Sequence, residues 1–336
     1  MLKKTLIAAA VMCGSFVGSA QAATTLNLSS WLPPTHPIVA DMIKPWIEAV
    51  KKESGGSLDI RILPKPLGKP PAHFDLAKDG VADITYGVHG YQPGRFLLTK
   101  AVEMAFLGES AETISVAYWR IHQKHLAAAD EHKGVQLLGL MSHGPGNMFN
   151  TKRALNTLAD LNGLKIRVGG GVINDVAGAI GATPLLKPAP ASYELVSNGV
   201  ADGVFFPSES IKSFKLDKLI KHATLVPGGL YNTSFFLVAN PASFAGLSQA
   251  DQDALMRASG ENFAHIAGKG WDAADQRGRD AMTAAGVAVI TASDAMVAEI
   301  KAKTGPIEAA WVAAAKAKGI DGAMVMQDLR AEIAAQ

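Results

Sequence analysis

From Leu26 the chain alternates apolar and polar side chains as far as Trp31, which predicts a strand over 26–31. Pro33, Pro34 and Pro37 break it. Val39, Met42, Ile43, Trp46, Ile47 and Val50 then recur at three- and four-residue steps, so 38–52 reads as an amphipathic helix. Pro45 inside it is expected to kink the helix or delay its start. Gly55-Gly56 ends it, alternation over 58–63 marks a second strand, and a short helix over 74–78 leads to Gly80 and a third strand over 82–86. Strand, helix, strand, helix, strand is the signature of an α/β unit on a largely parallel sheet.

The pattern then restarts. Apolar strands are expected over 135–140 and 165–168, a helix over 172–180 after Gly169-Gly170-Gly171, a second helix around 193–197, and a strand over 203–206. The run 235–239 reads as a strand that returns to the first unit, and Ala-rich helices fill most of 249–283 and 295–318. The fold class is therefore α/β, with two units of comparable size and a cleft between them.

The N-terminus changes the destination of the chain. Lys3 and Lys4 precede an apolar stretch over 6–12 and a small-residue end, Ala20-Gln21-Ala22. This predicts a cleaved signal peptide over 1–22, a mature start at Ala23 and a periplasmic location. The stretch is too short to span a bilayer, and no later segment approaches that length. Cys13, the one cysteine, falls inside the leader, so cysteine catalysis and cysteine-ligated metal are excluded from the mature chain. Lys and Arg number 32 against 30 Asp and Glu, and losing Lys3 and Lys4 brings the balance to 30 each. That leaves no basic excess for nucleic acid. With 48% hydrophobic residues in 336, the chain can fill two cores.

Arg167 is the leading candidate for chemistry. In Lys165-Ile166-Arg167-Val168 it lies opposite Ile166 and Val168, at a strand end that leads into three glycines and a helix. Such junctions bind anions in α/β proteins, and a guanidinium matches a carboxylate with two parallel hydrogen bonds. The alternative is a solvated strand-end charge. Gly169 and its neighbours lack the spacing of a nucleotide loop and allow only close backbone approach or a tight turn. His122, His125 and His132 lack metal-ligand spacing and read as surface residues. His36, His89 and His143 follow strands in loops, where they either donate to a carboxylate or serve structure. Trp31, Tyr86, Tyr91, Phe206 and Tyr231 lie near strand ends and could line a cleft or fill a core. Arg95 is a second candidate cation or a loop anchor. The commonest serine hydrolase signatures are absent, and no catalytic residue, metal or cofactor is assigned.

Several motifs in order resemble one family. Asp160-Leu161-Asn162-Gly163-Leu164-Lys165-Ile166-Arg167-Val168, then Gly181-Ala182-Thr183-Pro184, then Tyr193-Glu194 and Asn198-Gly199-Val200-Ala201-Asp202-Gly203 are similar to the central block of the DctP-like solute-binding subunits of TRAP (tripartite ATP-independent periplasmic) transporters. Leu67-Gly68, Gly80-Val81-Ala82-Asp83-Ile84 and Leu237-Val238-Ala239-Asn240 add to the match. The resemblance implies a Venus flytrap with interleaved lobes and a long bridging helix. Lobe I is expected over 23–143 plus 236–280, and lobe II over 144–235 plus 281–336. It further implies that Arg167 clamps a carboxylate, and that the small and large membrane permease subunits receive the solute. Asn232 matches an asparagine near the cleft in some relatives.

Two departures bear on the ligand. Phe206 stands where many members have asparagine before the proline, and His143-Gly144-Pro145-Gly146-Asn147 where many carry an arginine. Both replace polar or charged contacts with neutral or apolar ones. They argue against sialic acid or a simple C4-dicarboxylate, and favour a monocarboxylate with a partly apolar or aromatic body. The expected function is thus periplasmic capture of a small organic carboxylate by a monomer or homodimer. A periplasmic enzyme or a sensor-linked binding protein on the same scaffold are the alternatives.

Overall fold

The computed structural model describes residues 23–336; the expected signal peptide and Cys13 lie outside them. Strands β1 (Thr24–Ser29), β2 (Leu58–Ile62), β3 (Ile84–Val88) and β4 (Gln136–Ser142) form one sheet with β10 (Ser234–Ala239), in the order β2-β1-β3-β10-β4. Between β4 and β10 the chain builds a second sheet from β5 (Asn147–Asn150), β6 (Lys165–Val168), β7 (Thr183–Leu186), β8 (Gly203–Phe206) and β9 (His222–Leu225). Later β11 (Ala288–Thr291) joins it, giving the order β11-β9-β5-β8-β6-β7. Each sheet is parallel except at one strand: β10 runs antiparallel to β3 and β4, and β5 antiparallel to β8 and β9. Those two strands are the ones the chain enters at its first two crossings between the sheets. The run 235–239 does return to the first sheet, as its sequence predicted.

The two crossings are tied to each other. Gly146 N–H donates to the Tyr231 carbonyl and Leu230 N–H to the Gly146 carbonyl, both at 2.9 Å. Only glycine fits at 146, because a Cβ there would stand 2.2 Å from the Tyr231 ring. The Asn232 amide donates to the carbonyls of His143 (2.7 Å) and Gly144 (3.1 Å), and Asn147 Oδ1 accepts Val226 N–H at 2.8 Å. A third crossing is the helix Gly260–Ala284, about 37 Å long at 1.5 Å per residue. It packs on β4 and the helix Ala111–Ile121 in the first lobe and on the helix Ser208–Ser213 in the second. Gly278 permits that second contact, since a Cβ would meet the Ser208 carbonyl at 2.1 Å.

Three elements depart from expectation. The segment over 38–52 opens as a π-helical turn, Ile38–Ile43, before the α-helix Lys44–Glu53. Pro45 has no N–H to give to the preceding turn, so the regular ladder starts around it. The helix expected across 249–283 breaks at Ser259, between Gln249–Ala258 and Gly260–Ala284, where the Ser259 hydroxyl accepts Trp46 Nε1–H at 3.2 Å. The last helix, Gly322–Ala334, was expected in lobe II but packs on the helix Ala111–Ile121 of lobe I. It buries Val325, Met326 and Leu329, each contributing roughly 1.5–3 kcal/mol. The apolar core is accordingly continuous from Ile114 and Leu140, through Ile166 and Ile173, to Trp311 and Leu329.

Candidate ligand-binding site

Between the sheets lies a small cavity. Side chains at or just beyond strand ends converge on it: Val88 of β3, Arg167 and Gly169 at β6, Phe206 at β8, Thr233 and Phe235 at β10. Carboxyl ends of parallel strands are where α/β sheets open a crevice. Trp31, His36, Ile38 and Tyr91 complete the wall from the first lobe, His143, Glu209, Ser210, Phe214 and Tyr231 from the second and the crossings, and Trp271 from the bridging helix. Seven of the lining residues are Trp, Tyr or Phe.

Arg167 is 1% exposed, which rules out the solvated strand-end reading. Its Nε donates to the Lys187 carbonyl at 2.8 Å, and its guanidinium lies 4.3 Å from the centroid of the Phe206 ring. Burial lowers its pKa, with the nearby Tyr91 and Tyr231 hydroxyls opposing. An arginine so placed keeps its proton. No carboxylate among the described residues lies within ion-pair reach of it. A buried cation without an anion is costly, and an anionic guest in the cavity removes that cost.

The aromatic frame around it is held by its polar ends. Tyr91 reaches across the lobes, its hydroxyl accepting Ala189 N–H at 2.8 Å, and packs edge-on against Trp31 at 5.9 Å. Tyr231 donates to the Phe205 carbonyl at 2.9 Å and Trp31 Nε1 to the Tyr86 carbonyl at 3.2 Å. His143 Nδ1 faces the Gly144 carbonyl at 2.5 Å. A carbonyl only accepts, so Nδ1 carries the proton and Nε2 is left as an acceptor. Burial pulls His143 down to about 4, so the ring is neutral near pH 7.

Eight of the twelve residues named from sequence line this cavity: Arg167, Phe206, His143, Trp31, His36, Tyr91, Tyr231 and Gly169. Arg95, His89, Asn232 and Tyr86 do not. Arg95 is a surface tie, 2.8 Å from Asp75 and stacked over Phe74 at 4.8 Å. His89 points into the first lobe, where its Nε2 lies 2.9 Å from Nε2 of His132. Asn232 holds the crossing strands, its amide spent on two carbonyls. His122 and His132, expected on the surface, are buried beside His89, and His125 pairs with Asp328 of the last helix at 2.6 Å. Tyr86 is core, bonded to Ser30 at 2.6 Å.

Sequence reasoning missed Glu209, Asp275 and Glu103. Glu209 follows β8 by three residues, and its place just past a strand end and Pro207 was the one available signal. Burial raises its carboxyl to about 7, and its backbone N–H donates to Asp275 at 2.7 Å. Asp275, on the bridging helix, is pushed up to about 8, again by burial. Glu103 joins the lobes behind the cavity, accepting from Ser234 Oγ at 2.6 Å and Val172 N–H at 2.9 Å.

Two interleaved α/β lobes, three crossings and a cavity between them with an unpaired cation at one end define a solute-binding protein. The chain belongs to the bacterial extracellular solute-binding protein family 7, DctP, whose model matches residues 28–314; these are the solute-binding subunits of TRAP transporters. A TRAP periplasmic solute-binding protein from Bordetella bronchiseptica, with bound (R)- and (S)-mandelate, is 49% identical at TM-score 0.90, over 92% of this chain and 98% of its own. One from Rhodoferax ferrireducens T118, in complex with copurified benzoate, is 33% identical at TM-score 0.86, over 93% and 98%. The outer membrane transporter protein TsaT of Comamonas testosteroni is 31% identical over 99% of this chain and 98% of its own length.

Proposed function

We propose that this protein captures an aromatic monocarboxylate in the periplasm and delivers it to the membrane permease subunits of a TRAP transporter, without chemical change to the guest. The observation that carries the ligand class is Arg167: a buried guanidinium with no carboxylate partner, at one end of a cavity walled by aromatic rings. The carboxylate takes the guanidinium fork and the ring packs among Phe206, Tyr91 and Trp31. Solved relatives that hold mandelate and benzoate support the same class. The leader over 1–22 would direct export.

Capture works by population shift. Lobe I, built on the β2-β1-β3-β10-β4 sheet, and lobe II, built on the other, rotate about the crossings at 143–146 and 226–233. Only the closed form lets a guest touch both, so its binding energy stabilises closure. Lobe boundaries accordingly fall near 23–143 plus 236–280 and 144–235 plus 281–321, with the last helix assigned to lobe I.

A thermal-shift screen of organic acids tests this. Benzoate, phenylacetate or mandelate should raise the melting temperature by mass action, and C4-dicarboxylates should do so less. Stabilisation by uncharged sugars alone would reject the reading.

A further inference from the structure

The cavity holds a second set of unpartnered polar atoms, and the role inferred for them rests on the carboxylate proposed for Arg167. Phe214 stacks on Phe206 with centroids 5.7 Å apart and planes 13° apart, and the His36 ring lies 5.2 Å from Phe214. The aromatic wall that begins under the Arg167 guanidinium therefore ends at His36. His36 is 5% exposed, and its Nδ1 accepts Ile38 N–H at 3.2 Å. Burial lowers it to about 4, so the ring is neutral at pH 7 and carries its proton on Nε2. That Nε2–H has no hydrogen-bond partner.

Facing it at 3.5 Å is Glu209 Oε1, which also has none. The rest of the Glu209 side chain is fixed: Oε2 accepts the Ser210 hydroxyl at 2.8 Å, and the residue is 1% exposed. Both residues line the same cavity as Arg167.

The two meet each other only at 3.5 Å and outside hydrogen-bond geometry, so a buried donor and a buried acceptor stay poorly satisfied until something bridges both. The complement is a single hydroxyl, whose O–H donates to Glu209 Oε1 while its oxygen accepts from His36 Nε2–H. A bare ring C–H, a methyl or a halogen satisfies neither. An ammonium could donate to Glu209 but has no lone pair for His36. We propose that His36 and Glu209 form a hydroxyl-recognising subsite, and that the preferred guest is an aromatic acid bearing a ring hydroxyl remote from its carboxylate.

The test is titration calorimetry of the mature protein with benzoate and phenylacetate and with their 3- and 4-hydroxy derivatives. At least one hydroxylated acid should bind about tenfold or more tightly than its parent, as expected for a hydrogen bond involving a charged or buried group. His36→Phe and Glu209→Met should each bring that ratio close to one, with the parent acid measured in the same variant as the reference. Parents that bind wild type as tightly as every derivative overturn the subsite and leave the carboxylate reading intact. A ratio that survives both substitutions overturns it too. If none of the acids binds, the carboxylate reading falls and the subsite with it. Should Glu209→Met fail to fold, the wild-type ratio and His36→Phe decide.

Discussion

The Arg167 cavity and the His89–His132 cluster bury polar groups to a similar depth in opposite ways. The histidines face each other across 2.9 Å, two neutral rings packed between Phe96, Phe236 and Phe74 at centroid distances of 4.6 to 6.5 Å. Either ring can donate while the other accepts, so each Nε2 answers the other, and the His89 Nδ1 left without a partner belongs to a neutral ring. Arg167 meets one backbone carbonyl and aromatic faces, and its charge is answered by nothing among the described residues. Depth of burial does not separate structure from site here. What separates them is whether a full charge is left without a counter-charge inside the protein.

The largest expected effect strikes the unanswered charge. Arg167→Ala should weaken binding of an aromatic acid about 100-fold or more, because truncating one side of a buried charge pair typically costs about 2–5 kcal/mol. Arg167→Lys keeps the charge but loses the planar fork, and about 30-fold weakening is expected from that alone. Calorimetric affinities of the two variants, read together, divide charge from geometry. Unchanged affinity in Arg167→Ala would erase the distinction between the two regions.

Next comes the ring under the guanidinium. Phe206→Asn replaces an apolar face with an amide. It removes the contact to Arg167 and part of the wall, worth roughly 1–2 kcal/mol, or a five- to thirtyfold loss for benzoate. Aliphatic hydroxy acids should lose less. Competition between benzoate and lactate in wild type and variant measures the shift, and an equal loss for both would mean that Phe206 shapes the cavity without selecting its guest.

The parts of the fold and site that were legible in the sequence are those with local causes. Arg167 was visible because its strand, its three glycines and its helix are contiguous. Phe206 was visible because Pro207 marks the strand end beside it. Glu209 was not, since its burial comes from Gly278 of the bridging helix approaching Ser208, and no local pattern announces that contact. His122 and His132 look like surface residues on any periodicity argument. They are buried because the turns after the helix Ala111–Ile121 bring His122 against His132 and His132 against His89, 43 residues earlier in the chain. The broken helix at Ser259 and the docking of the last helix share that cause: a distant partner, Trp46 in one case and the helix Ala111–Ile121 in the other.

The smallest effect on binding is expected from the histidine cluster, and it sharpens the comparison from the other side. Burial lowers His89 to about 3 and His122 to about 4, and holds His132 well below its ordinary 6.5. As pH falls below 6.5 the unfolded chain protonates these rings and the folded chain does not, so stability falls with them until the folded rings titrate. Glu209 and Asp275 carry the opposite sign. They stay protonated in the folded chain up to about 7 and about 8, while their unfolded counterparts ionise near 4.5 and 3.8, so they remove stability as pH rises through that window. Changing His89→Phe together with His132→Leu takes two rings from the first set and leaves the second untouched. The slope of unfolding free energy against pH between 4 and 6.5 should shrink by up to two protons, about 2.7 kcal/mol per pH unit. Replacing both partners with apolar groups leaves neither nitrogen stranded by the loss of the other. At pH 7 the double variant should bind the acid within about twofold of wild type, since no atom of the pair lines the Arg167 cavity. Urea melts across that pH range, paired with calorimetry at pH 7, read both quantities. A tenfold loss of affinity would mean that the two regions are coupled through β3, and that the closed histidine pair is part of the machinery it was contrasted with.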